Sequence, residues 1–144
     1  MLKHIAFSLL LGGSLAVSAS LAAAAELVVI VSARSPVTSL RAEQVADIFL
    51  AEAATFPDGR EASALDLRVG SPLRDEFYAK VAKRSPALMK AYWTKMIFTG
   101  RGQPPRELPG SLEVRKLVAE NPGMIGYIER SALDASVRAV LVVH

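Results

Sequence analysis

Leu65-Asp-Leu-Arg-Val-Gly-Ser-Pro-Leu-Arg-Asp-Glu-Phe77 is the stretch that decides how this chain reads. Apolar and polar residues alternate up to Val69 with the period of a strand, Gly70 supplies a turn, and Ser71-Pro72 is the cap and first position of a helix. A strand delivers the chain directly to a helix N-terminus. That end presents unpaired N–H groups and a partial positive charge, and Arg68, Ser71 and Arg74 flank it, so it suits an oxyanion. The competing reading makes Ser71 an ordinary cap and leaves both arginines solvated or paired with Asp66 and Asp75.

Binding near micromolar strength needs ~8 kcal/mol, and one charge-assisted hydrogen bond contributes about 1.5–3 kcal/mol. Several donors must converge. The stretch offers the Ser71 hydroxyl, one or two backbone N–H groups and the guanidinium forks, while Pro72 withholds one N–H. Arg34 and Arg101 are the candidates to close the site from other segments.

Downstream of this stretch, Ser85-Pro86 repeats the cap-and-first-position pattern and opens a helix carrying Leu88, Tyr92, Trp93, Met96 and Ile97. Tyr92, Trp93 and Phe98 at this spacing read as core, the alternative being an aromatic wall beside Arg101. Gly100 to Gly110 holds so many glycines and prolines that it reads as an irregular surface loop. A helix from Ser111 ends near Asn121-Pro122-Gly123, and Met124 to Ile128 and Val137 to Val143 read as strands.

Upstream, Glu26 to Ser32 is an almost continuous β-branched run, the pattern of a central strand covered on both faces as in a largely parallel sheet. A helix is expected from about Leu40 to Leu50. Pro57, Asp58 and Gly59 favour a turn that folds Phe56 back onto the core. Strands and helices thus alternate, which indicates α/β layering with crossover connections.

The first 25 residues read as a secretory signal peptide: Lys3-His4, an apolar run from Ile5 to Val17, then Ala23-Ala24-Ala25 before Glu26. Residues 26–144 are expected to form one domain in the periplasm. The whole chain has 17 Lys and Arg against 14 Asp and Glu, a balance that argues for neither nucleic acid nor a membrane surface as partner. With no cysteine and two histidines, His4 and the terminal His144, thiol catalysis, disulfides and Ser-His-Asp chemistry lack their residues. No cofactor or metal site is expected. The pairs Asp75-Glu76 and Glu61-Asp66 read as surface carboxylates.

Ser39-Leu-Arg-Ala-Glu-Gln-Val-Ala-Asp-Ile-Phe-Leu50, Asp58-Gly59, Arg68-Val-Gly-Ser71, Trp93 with Ile97-Phe98-Thr-Gly100, and Asn121-Pro-Gly-Met-Ile-Gly-Tyr-Ile128 resemble, in order and approximate spacing, landmarks of phosphate ABC transporter substrate-binding proteins. The resemblance implies a periplasmic-binding-protein-like fold (type II), shortened, with a mixed sheet flanked by helices. It also implies a small oxyanion, phosphate first, held without catalysis, with Arg68 and Ser71 as the family's arginine and serine and Gly70 shaping the turn; Arg74, and Arg34 or Arg101 closing the site, are added by the reading of the residues themselves. An ABC permease or another envelope protein would be the partner, and two copies could pair as a homodimer. Where the family's phosphate loop carries Gly-Thr after the serine, this chain has Pro72-Leu73. The rival expectation is an envelope accessory protein that keeps the fold and has lost the ligand site.

Overall fold

The computed structural model describes residues 26–144, so the expected signal peptide lies outside the described residues. Five strands form one sheet: β1 (Leu27–Ser32), β2 (Ser63–Leu67), β3 (Arg106–Leu108), β4 (Met124–Glu129) and β5 (Val137–Val143), in the order β3-β2-β4-β1-β5. The helices are α1 (Ala42–Phe49), α2 (Pro72–Val81), α3 (Pro86–Phe98) and α4 (Ser111–Glu120), with a short 3-10 turn at Arg130–Ala132. None of the helices among the described residues is long and apolar enough to cross a membrane.

β1 is interior and all six of its residues are buried, as its β-branched run implies. Its neighbours run the other way. It pairs antiparallel with both β4 and β5, whereas β2 is parallel to β3 and to β4. The sheet is mixed, as the resemblance implies, and not largely parallel as the β1 run by itself suggests. A strand needs cover on both faces to read as continuously apolar, and that cover does not fix the direction of its partners.

Alternation along β4 assigns the covers. Tyr127 points to α1 and α2, stacking on Phe77 with ring centroids 3.9 Å apart and lying 5.8 Å from Phe49. Gly126 points the other way. A Cβ there would stand 2.4 Å from Val114 Cγ1 on α4, so the missing side chain lets α4 close on the sheet. Phe56 is buried against the core as expected.

Two local expectations fail. The segment from Gly100 to Gly110 is not wholly irregular, because Arg106–Leu108 adds a short parallel strand beside β2. α3 turns Met89 and Trp93 inward but leaves Leu88 and Ile97 exposed and Phe98 at 92% exposure. That helix packs at the periphery against α2, so the sheet never covers its outer face.

Candidate functional site

β2 ends at Leu67, and the chain turns through Gly70 into α2. Gly70 has φ of +93°, a left-handed conformation suited to glycine, and the Ser71 N–H donates to the Arg68 carbonyl at 3.0 Å to close the turn. Ser71 is the N-cap, its hydroxyl accepting from the Arg74 N–H at 3.4 Å, and Pro72 holds the first helical position. The strand-turn-helix reading of this stretch therefore holds. Arg68, Val69 and Gly70 are exposed, Ser71 is half-buried, and the Val69 N–H donates to Glu107 Oε1 at 2.8 Å.

Behind the turn lies a buried polar cluster. Asp66 is 1% exposed, which corrects its reading as a surface carboxylate. Tyr78 donates to its Oδ2 at 2.5 Å, Tyr127 and the Leu67 N–H donate to its Oδ1, and Arg74 Nε donates to Oδ2 at 3.3 Å. A buried carboxylate survives when its oxygens are filled in this way. Burial pushes the Asp66 carboxyl above its ordinary range, against the pull of these donors. Burial, reinforced by the Asp66 charge, also pushes the Tyr78 and Tyr127 hydroxyls far above theirs, so both stay protonated donors.

Arg74 thus takes one half of the competing sequence reading, pairing with Asp66. It still borders open space. A groove of about 590 Å³ is lined by Val69, Gly70, Arg74, Met89, Trp93 and Ile97, with Asp75, Lys90 and Glu107 as its charged members. Trp93 is buried in this wall while Phe98 stands free, so the aromatic residues of α3 are only partly core.

Four of the six sequence candidates, Arg68, Gly70, Ser71 and Arg74, come together on the β2–α2 turn. Arg34 does not. It follows β1, which runs antiparallel to β4, so it emerges at the sheet edge opposite the C-terminal end of β2. There its Nη2 donates to the Glu120 carbonyl at 2.9 Å and caps α4. Arg101 lines a separate depression with Ala51, Glu52, Tyr92, Lys95 and Met96. The structure brings neither arginine to the β2–α2 turn; spacing in sequence does not reveal which edge of a mixed sheet a loop reaches.

Sequence reasoning named Asp66 only as a possible partner for the arginines or a surface carboxylate, and it missed Tyr78, Tyr127 and Glu107. One signal was available: Asp66 sits between Leu65 and Leu67 in a strand, and Arg74 and Tyr78 are four apart on one helix face.

Comparison with solved structures bears on this arrangement. The described fold superposes on a Clostridium perfringens protein assigned as a phosphate ABC transporter substrate-binding protein and solved with bound phosphate, at TM-score 0.62 and 26% identity. The alignment covers 80% of this chain and 44% of that one. An ABC-type phosphate transport receptor from Vibrio cholerae gives TM-score 0.63 at 18% identity, covering 80% and 45%. PstS from Borrelia burgdorferi gives 0.58 at 14%, covering 80% and 46%. The fold is that of phosphate ABC transporter substrate-binding proteins. This chain spans less than half the length of the phosphate receptors it matches. Its sequence matches no family model and no curated protein.

The Asp66, Tyr78 and Tyr127 groups are tied to one another, and no group of acidic or histidine residues able to hold a metal ion occurs among the described residues. What remains free for a ligand is the exposed Arg68 side chain, the Ser71 cap and the groove side of Arg74.

Proposed function

We propose that this chain is a non-enzymatic solute-binding protein of the phosphate-receptor type, taking a small oxyanion, phosphate first, at the β2–α2 turn for an ABC transporter or sensing system. The observation that carries the reading is the meeting of Arg68, Gly70 and Ser71 at a helix N-terminus, in a fold similar to one solved with bound phosphate. Export to the periplasm by a cleaved signal peptide over residues 1–25, a single domain over residues 26–144 and an ABC permease as partner belong to the same proposal. Calorimetric titration with phosphate and sulfate tests it. Binding heat lost in the Arg68→Ala, Ser71→Ala double variant supports the reading; silence at millimolar phosphate, or heat that the double variant retains, overturns it.

A second reading has its own observation. Phe98 is 92% exposed and shares a shallow depression on the outer side of α3 with Ala87 and Ala91, and exposed apolar surface marks interaction sites. In that case the chain is an envelope accessory protein that keeps the fold without the ligand, contacting a partner protein or a second copy through α3. A stable dimer hides ~1,200 Å² or more in total. Light scattering that detects a dimer, abolished by Phe98→Ser, together with a silent titration, would favour this second reading.

A further inference from the structure

The groove beside Gly70 is larger than a bare oxyanion needs. At about 590 Å³ it falls within the range of cavities that hold small organic molecules, whereas a four-oxygen anion displaces only a few waters of ~30 Å³ each. Most of its wall is apolar. Val69, Met89, Trp93 and Ile97 contribute, and Val69 and Ile97 leave 73% and 49% of their surface open. Covering such surface is favourable in proportion to the area removed from water.

Arg74 supplies the polar anchor. It is 8% exposed, it borders the groove, and only its Nε finds an acceptor among the described residues. The terminal nitrogens of the guanidinium are left for a planar two-oxygen group. Lys90 offsets one of the two carboxylates, Asp75 and Glu107, that share the lining, and Glu107 is held by the Val69 N–H. With Arg74 already facing Asp66, the lining has little positive charge to spare and accepts a single negative charge better than a multiple one.

We infer that the groove takes the apolar body of a singly charged organic oxyanion, a carboxylate in the first instance, whose head meets Arg74 while its ring or chain lies against Met89, Trp93 and Ile97. The inference deepens the solute-binding reading and rests on it for the β2–α2 turn as the anion anchor. Trp93 is the chain's only tryptophan. Its emission therefore reports on the groove wall directly.

The purified protein is titrated with phenylacetate, acetate and inorganic phosphate, following Trp93 fluorescence and binding heat together. Phenylacetate is expected to bind at least about tenfold more tightly than acetate, given the apolar area its ring adds, and to shift the emission. Ala87→Phe, at an exposed groove position on α3, is expected to remove that preference. Equal affinities for the two carboxylates, or a preference that Ala87→Phe leaves intact, overturns the inference. Phosphate heat that depends on Arg68 and Ser71, with no preference for phenylacetate, removes the inference and keeps the solute-binding reading. No binding of any of the three anions removes both.

Discussion

Arg74 Nε stands 3.3 Å from Asp66 Oδ2, with the two side chains 10% and 1% exposed. This pair ties the first turn of α2 to the end of β2, directly beneath the candidate site. Loop geometry at Gly70 is therefore set from beneath, by a pair of which Arg74 alone borders the groove.

Asp66 and Arg74 should prove energetically coupled. Asp66→Ala leaves a buried guanidinium and two tyrosine hydroxyls without their acceptor and is expected to lower stability by about 3–5 kcal/mol. Asp66→Leu combined with Arg74→Met should lose less than the sum of the two single changes. Urea unfolding of the four proteins, read as a double-mutant cycle, checks this; additive losses would mean that the pair is not coupled.

Stability should carry the mark of Asp66 as pH changes. Burial holds its carboxyl above the ordinary 3.8 in the folded chain. Between that value and the folded one, the native state keeps a proton that the unfolded chain has released, so this group's contribution falls as pH rises and levels off above the folded value. Asp66→Asn removes the dependence. The stability difference, wild type minus variant, is expected to decrease upward from about pH 4; a difference that grows over that range would contradict the assignment.

Binding should separate the arginines. Arg68→Ala is expected to weaken phosphate binding by about 1.5–3 kcal/mol, the scale of a charge-assisted hydrogen bond. Arg34→Ala and Arg101→Ala should leave it unchanged, since one arginine caps α4 and the other lines a separate depression. Calorimetry on the three variants decides, and a loss at Arg34 or Arg101 equal to that at Arg68 would count against the β2–α2 turn.

Gly126→Ala tests the closeness of α4. Its new methyl would stand 2.4 Å from Val114 Cγ1, so helix or strand must shift, with an expected loss of about 1–3 kcal/mol. Val114→Ala should partly rescue it. Thermal unfolding of the single and double variants measures the effect.

The strand-turn-helix at Leu65 to Phe77 was legible because alternation, glycine and Ser-Pro each act locally. The burial of β1 was legible for the same reason. Its antiparallel pairing was not, because the direction of a neighbour depends on a segment about a hundred residues away. That same unknown misplaced Arg34, whose loop lies at the far sheet edge. Asp66 was misread because a lone carboxylate in sequence carries no sign of Tyr78 and Tyr127, which reach it only after α2 and β4 have packed. Trp93 was read as core and is buried, but the exposure of Phe98 was hidden, since helical spacing shows that apolar positions share a face but not what lies opposite.

The position of β1 between β4 and β5 also governs how the chain can be made. Leu27 meets Glu129 on one side and Val143 on the other, so β1 completes its two ladders only with strands about a hundred residues away. Contacts of such long range slow folding. The centre of the sheet is consequently assembled late, once β4 and β5 are both available, and not hairpin by hairpin. A C-terminal truncation before Val137 should accordingly never fold.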